Sequence, residues 1–172
     1  ALLSAWTGDG SGYQVAQTQP MKLAAMEGYY EGQQGAGLVA IGMLNPEKKT
    51  YNDGQDTFLF RIEIPKMLSL LAERKLDGFV PGITDLIEGG YQLKDGTQAL
   101  SAEEKIERGK TAIGALAAYR AAQAADNDAE AVEAAKVLKE NVAYFGYGYI
   151  KDVNELVPNV PLTFYAFRVM VM

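Results

Sequence analysis

The chain contains no cysteine and no histidine among its 172 residues. The absence of cysteine excludes disulfides, zinc ribbons and thiol catalysis, and the absence of histidine removes the usual imidazole base and the commonest metal ligand. Basic residues are also scarce, since 16 Lys and Arg stand against 22 Asp and Glu and the sequence pI is near 4.7. This balance excludes nucleic acid as a partner, because binding a phosphate backbone relies on clustered Lys and Arg. Acid–base chemistry must therefore use carboxylates, lysine or tyrosine.

Long apolar runs are absent as well. No segment approaches the roughly 20 apolar residues of a membrane-spanning helix, and no signal peptide pattern is present. The chain opens on Ala1-Leu2-Leu3 and closes in the apolar segment 164–172. Two apolar edges around an acidic interior are typical of a loop between two membrane helices, and the low Lys and Arg content fits an external face. We therefore expect a soluble piece excised from a membrane protein, with two ordinary core segments as the alternative.

The apolar content of 48% is enough to form one hydrophobic core. We expect a single domain over residues 1–172. No repeat of 20 to 50 residues is visible, which argues against a solenoid.

The first half of the chain predicts short helices and one β-hairpin. Residues 8–13 (GDGSGY) indicate a glycine-rich turn, and residues 19–27 a helix with Pro20 in its first turn. The apolar runs 38–44 and 57–64 are separated by turn residues, which predicts two paired strands. Pro65 then begins a predicted helix that is apolar on nearly every side and so deeply buried.

The second half predicts an αα-hairpin. Ser101 and Glu104 form a capping box that begins a helix reaching about Ala125, and Asn127 caps the next helix. That helix carries an apolar stripe with helical spacing: Val132, Ala135, Leu138, Val142 and Phe145. Gly146 and Gly148 are expected to end it. The predicted fold class is mainly α with a small β-hairpin.

Several motifs occur in an order and spacing that resemble one family. They are residues 8–13 followed by 22–27 (KLAAME), the stretch 62–65 (IEIP), the turn 145–148 (FGYG) and the segment 161–170 (PLTFYAFRVM). In these the chain resembles the quinol-binding extracytoplasmic loop of subunit I of cytochrome bd ubiquinol oxidases. The resemblance covers both ends and several interior points, whereas the αα-hairpin matches only in position and character.

The resemblance implies a function. In that family, electrons from ubiquinol or menaquinol pass to a low-spin haem b and then to two further haems, where oxygen is reduced to water. It implies that Lys22, Glu27 and Asp9 serve quinol binding and oxidation, that Met170 is an axial haem b ligand and that Arg168 lies beside that haem. The implied partners are the rest of subunit I, subunit II and the bacterial inner membrane, on its periplasmic face. Residues 1–35 would then form the quinol-binding part, 36–160 the hairpin and helical part, and 161–172 the start of the following membrane helix.

The residue types suit this chemistry, although each has a simpler explanation. Partial burial would raise the pKa of Glu27 and make it a base, and Lys22 could stabilise a developing negative charge; both could equally be surface charges on a short helix. Asp9 in a glycine-rich segment is by default a turn former. Met170 could simply be packing, and Arg168 could form a salt bridge within the domain.

The chain has no histidine for a second axial ligand, so we expect the isolated fragment to bind no haem and to be inactive. Two alternatives to a quinol-oxidising domain stay open. One is a non-catalytic extracytoplasmic domain that stabilises its parent or docks a partner through the αα-hairpin. The other is a free-standing helical binding protein.

Overall fold

The structure, a computed structural model, describes the backbone of residues 2–171 and the side chains of residues 6–171. Its helices and strands follow in chain order as α1 (Leu2–Thr18), α2 (Pro20–Glu27), β1 (Gln33–Gln34), β2 (Leu38–Leu44), β3 (Phe58–Ile64), α3 (Met67–Glu73), β4 (Phe79–Val80), α4 (Ile83–Glu88), α5 (Ala102–Ala124), α6 (Asp128–Asn141) and α7 (Val160–Val171). Short 3-10 helices cover Val142–Tyr149 and Val153–Leu156. The predicted class, mainly α with a small β-hairpin, is confirmed.

The chain divides into two compact units. One comprises Ala1–Leu86 with Val157–Met172, and the other comprises Ile87–Leu156. Compact units need not fold independently. The single domain over 1–172 and its parts 1–35, 36–160 and 161–172 therefore stay predictions.

The first unit is organised around the predicted hairpin. Strands β2 and β3 pair antiparallel, and β1 pairs with β4 in a second small sheet. Val39, Leu44 and Phe164 form a buried cluster against which Phe58 packs. Because Phe164 belongs to α7, this cluster fixes the C-terminal helix onto the hairpin. Among the described residues, no helix is both long enough and apolar enough to cross a bilayer.

The expected turn at residues 8–13 is wrong, because α1 runs through all three of its glycines. Glycine in a helix costs about 1 kcal/mol relative to alanine, so contacts outside the helix must compensate. Both carboxylate oxygens of Asp9 accept hydrogen bonds from Arg74, and the Gln17 amide donates to the carbonyl of Ala72. These bonds tie α1 to the end of α3.

Helix α3 also departs from expectation. It begins at Met67 rather than at Pro65, because Lys66 adopts a left-handed conformation that redirects the chain before the helix starts. Burial is confined to one side: Leu68 and Ala72 are buried, whereas Leu70 is exposed. Helix α3 is therefore buried on one side rather than on nearly every side.

The second unit contains the predicted αα-hairpin. Ser101 and Glu104 form the complete capping box of α5, and Asn127 caps α6 by accepting from the backbone N–H of Glu130. The buried residues of α6 are Ala131 and Ala134, while Val132 and Val142 are exposed. The predicted stripe was thus displaced by one residue, because small alanines allow closer helix packing than valine does.

The end of α6 differs as well. The helix ends at Asn141 and passes into the 3-10 helix Val142–Tyr149, which contains Gly146 and Gly148 instead of ending at them. A Cβ atom added to Gly109 of α5 would collide with the backbone of Gly148 and with the carbonyl oxygen of Tyr144. Glycine is needed here because two backbones touch.

Candidate functional site

Glu27 is the last residue of α2, and the structure around Gly28 fixes its position. Gly28 ends the helix in the left-handed conformation, with φ of 68°, and its N–H bonds to the carbonyl groups of Ala24 and Ala25. A Cβ on Gly28 would lie 2.9 Å from Phe58 and 3.4 Å from Phe164. Both the conformation and the crowding demand glycine, so the chain turns sharply after Glu27 against the hydrophobic cluster.

Glu27 and Arg168 form a buried ion pair that joins α2 to α7. The Arg168 Nη2 atom donates to the Glu27 Oε2 atom at 2.8 Å, although the two residues are 141 positions apart in sequence. The Glu27 side chain is 3% exposed and that of Arg168 is 15% exposed. The structure thus brings together two of the five residues that the resemblance implicated, and the salt bridge anticipated for Arg168 has Glu27 as its partner.

Burial raises the pKa of Glu27 above its ordinary value of about 4.5, and the hydrogen bond and charge of Arg168 offset part of that rise. Burial wins because losing water penalises the charged carboxylate more than one partner compensates. A carboxylate in this situation accepts a proton at a higher pH than an exposed one. The expected direction of the shift is confirmed.

The guanidinium of Arg168 retains an unused donor. Its plane lies over the ring of Phe164 at 4.8 Å and near that of Phe167 at 5.6 Å, which stabilises the cation. Its Nε atom is buried and has no hydrogen-bond partner among the described residues. Buried donors are normally satisfied, so this N–H is an exception to the rule.

The other predicted quinol-site residues lie apart from this pair. Lys22 is exposed on α2, and on an ideal helix its direction differs from that of Glu27 by roughly 140°. Asp9 lies on α1, where Arg74 donates to its two oxygens at 2.7 and 2.8 Å. That hydrogen bonding holds the pKa of Asp9 below its ordinary value. Asp9 is therefore a charged carboxylate with a partner of its own.

Sequence reasoning missed a cleft that begins beside Gly28. Its volume is about 840 Å³, and its walls include the aromatic residues Tyr29, Tyr30, Tyr51 and Phe58. Lys48 on its rim is nearly buried, pairs with Asp53 at 3.0 Å and lies 4.6 Å from the centre of the Tyr30 ring. The Tyr29–Tyr30 pair directly after Gly28 is the sequence signal that could have indicated it.

Tyr29 connects this cleft to the buried side of the hairpin. Its hydroxyl donates to the carbonyl of Gly37 at 3.3 Å. Burial raises the pKa of Tyr29, and the negative charge of Glu63 adds to the rise. The hydroxyl therefore stays protonated near neutral pH and serves as a donor.

The sequence model of the family described as cytochrome bd terminal oxidase subunit I matches residues 1–172 of the chain. The chain belongs to this family. Its members are subunits of a membrane-bound respiratory oxidase.

A curated relative of this subunit I chain is the cytochrome bd-II ubiquinol oxidase subunit 1 of Escherichia coli strain K12. The two sequences are 29% identical over 182 aligned positions, which cover 95% of the chain and 30% of the relative. The chain thus spans less than a third of the length of that relative.

Because the chain belongs to this family, the positions of Arg168 and Met170 can be compared with what a haem contact requires. Met170 is 74% exposed near the end of α7, and on an ideal helix it is about 200° from Arg168. Its thioether is therefore accessible on the side of α7 that faces away from Glu27. An exposed thioether is of the type that can ligate iron, whereas the Arg168 guanidinium points to the other side of α7, where it pairs with Glu27.

Proposed function

We propose that the chain is the quinol-binding and quinol-oxidising loop of a cytochrome bd-type terminal oxidase. The observation that carries the proposal is the buried ion pair between Glu27 and Arg168. It connects the predicted quinol base to the residue predicted beside haem b. In this proposal the loop lies on the periplasmic face of the bacterial inner membrane.

Glu27 acts as the base. Oxidising a quinol to a quinone releases two protons and two electrons, so a proton acceptor must lie next to a quinol hydroxyl. The raised pKa of Glu27 brings its basicity closer to neutral pH than that of an exposed carboxylate. Arg168 keeps the carboxylate oriented and charged before the proton arrives.

Lys22 and Asp9 are the further quinol-site residues of this proposal, although both lie apart from the Glu27–Arg168 pair. Lys22 is exposed and can donate to a quinol oxygen, which stabilises the negative charge that develops as the proton leaves. Asp9 is held charged by Arg74. It fixes the position of α1 beside the site or serves proton release.

Haem b, when bound, supplies the electron acceptor. Met170 would hold the haem iron, and any histidine ligand would come from outside the chain, which contains no histidine. Arg168 would lie near that haem. These assignments follow the family resemblance, and the exposure of Met170 supports the first of them.

The partners follow from the same proposal. The relative's name describes a ubiquinol oxidase, and the substrate here is ubiquinol or menaquinol. The remaining parts of subunit I and subunit II would complete the complex that reduces oxygen to water.

The test is Glu27→Gln in the full-length oxidase. Glutamine keeps the shape and a hydrogen-bond acceptor but cannot take a proton, so we expect quinol-dependent oxygen consumption to fall about 100-fold or more. Oxidation of an artificial one-electron donor, which needs no base, should persist. Lys22→Ala should lower kcat/KM for quinol by roughly tenfold through the loss of a charged hydrogen bond.

Matched controls exist in the same unit. Glu47 and Lys75 are exposed, so Glu47→Gln and Lys75→Ala should leave quinol turnover unchanged. If Glu27→Gln retained full quinol turnover, the proposal would be wrong and a non-catalytic docking role would be favoured. If the activity with both donors fell equally, the damage would be structural and Glu27 would not be the base.

A further inference from the structure

The hairpin of β2 and β3 contains two irregularities that decide which side chains face outward. Val39 pairs with Glu63 and Ile41 with Ile62, so β2 has one extra residue, at position 40. Met43 pairs with Phe60 and Leu44 with Phe58, so β3 has one extra residue, at position 59. Each bulge reverses the alternation of its strand.

The inner face of the hairpin carries its charges. Val39, Leu44 and Phe58 on this face belong to or pack on the buried cluster. The same face carries Arg61 and Glu63, whose Nε and Oε2 atoms are 3.5 Å apart. Arg61 also lies over the Phe58 ring at 5.5 Å.

The outer face is entirely apolar. Its members, paired across the strands, are Leu38 with Ile64, Ile41 with Ile62 and Met43 with Phe60. Leu38 is half-buried, while the other five side chains are 45% to 61% exposed. We call these six residues the hairpin outer face.

This arrangement is the reverse of the usual one. An antiparallel sheet with one solvated face normally places polar residues on it. Here the outer face has no polar side chain, while Arg61 and Glu63, whose side chains are 44% and 30% exposed, lie on the inner face. A contiguous apolar surface of this kind marks an interaction site.

The chemistry of the face selects a protein as its occupant. A two-stranded sheet has an unpaired edge on each strand, and open sheet edges do not occur in the hydrocarbon region of a bilayer. The face also lacks the Trp, Tyr, Lys and Arg that are typical of the headgroup region. Phe, Met and aliphatic residues without charge are typical of the core of a protein interface.

The length of the relative indicates which polypeptide could cover the hairpin outer face. The aligned region covers 30% of the Escherichia coli protein, so more than two thirds of that polypeptide has no counterpart in this chain. Resting on the proposed function, we infer that the hairpin outer face docks onto an apolar surface of the part of the same subunit I polypeptide that lies outside residues 1–172. The hairpin would thereby anchor the loop, since its inner face is fixed to α7 through Phe58 and Phe164.

Site-specific photocrosslinking in the intact, full-length oxidase in lipid nanodiscs tests this inference. The Phe60→benzoylphenylalanine variant should yield a covalent peptide adduct with subunit I sequence outside the 172 residues, identified by mass spectrometry, and an adduct with another subunit would overturn the inference. The matched control is Gln55→benzoylphenylalanine in the exposed turn of the same hairpin. It should give no such adduct.

A second substitution tests the apolar character of the contact. Adding Ile41→Asp to the Phe60 variant should abolish the adduct, whereas Ile41→Val should retain it. Adducts with lipid alone, with a second copy of residues 1–172, or with nothing would each overturn the inference. If Ile41→Asp prevents assembly of the oxidase, the comparison of the Phe60 and Gln55 variants still tests the inference. Because the readout does not involve quinol turnover, this inference and the proposed function can fail separately.

Discussion

The two compact units of the chain differ in how far their polar contacts reach along the sequence. In Ile87–Leu156, the helix caps join residues three positions apart, Ser101 with Glu104 and Asn127 with Glu130. In the other unit, Asp9 and Arg74 are 65 positions apart, and Glu27 and Arg168 are 141 apart. The unit with long-range contacts is also the one that contains every candidate site residue.

The two kinds of contact have different structural consequences. A local cap stabilises one helix and says nothing about its neighbours. A buried ion pair between distant segments fixes their relative position, and it is costly unless both partners are present. The unit with the candidate site residues therefore depends on ion pairs in which one substitution leaves the other partner without its opposite charge.

The largest expected effect comes from breaking the longest contact. Arg168→Met keeps side-chain volume but leaves Glu27 buried without its partner. We expect the free energy of unfolding of the chain to fall by about 3 to 5 kcal/mol at neutral pH, measured by denaturant titration.

The pH dependence of this loss follows from Glu27. Burial raises its folded-state pKa above about 4.5, the ordinary value, so its contribution to stability is fully present below that pH and is lost as pH rises through the folded-state pKa. Without Arg168 the pKa rises further, and the deficit of Arg168→Met should shrink at pH 5. An equal deficit at both pH values would show that lost packing, rather than the charge of Glu27, is responsible.

A smaller effect is expected from the closest contact in the other unit. In Gly109→Ala the new methyl group meets the backbone of Gly148 and Tyr144, and we expect a loss of about 2 kcal/mol from overpacking. Gly114 is the matched control, because it lies in the same helix with no neighbour within 4 Å of its added Cβ. Gly114→Ala should stabilise the chain by about 1 kcal/mol through helix propensity alone. Equal effects of the two substitutions in thermal unfolding would contradict the predicted close approach.

The same contrast in range explains which elements could be predicted from the sequence. The capping box at Ser101 and the cap at Asn127 are local patterns, and both helices were predicted with nearly correct starts. The strands at 38–44 and 58–64 were also found, because turn residues and apolar runs are local signals. Helix α1 was missed, because its glycines favour a turn and only distant contacts to Arg74 and Ala72 stabilise the helix.

The candidate site shows the same limit. The sequence motifs selected Glu27 and Arg168 separately, and Arg168 was noted as a charge in need of a partner. That each is the other's partner follows only from the packing of α2 on α7, which no local pattern encodes. The bulges at positions 40 and 59 were equally invisible, since simple alternation would have placed Phe58 on the same face as Phe60, Ile62 and Ile64.

The smallest expected effect concerns the exposed pair of Asp9 and Arg74. Substitutions in this pair test whether every long-range contact affects quinol binding. Exposed ion pairs contribute little to stability, so neither Asp9→Asn nor Arg74→Gln should shift the thermal unfolding midpoint measurably. If the pair only positions α1, both variants should raise the KM for quinol in the full-length oxidase by a similar factor, below about tenfold. The double variant should then raise the KM no further than either single variant does. Lys66→Gln is the control, because it breaks the comparably exposed pair with Asp77 and should leave the KM unchanged. A larger rise in KM for Asp9→Asn than for Arg74→Gln would instead mean that the Asp9 carboxylate contacts the quinol. Only such a contact would give the loss of Asp9 a larger effect than the loss of Arg74.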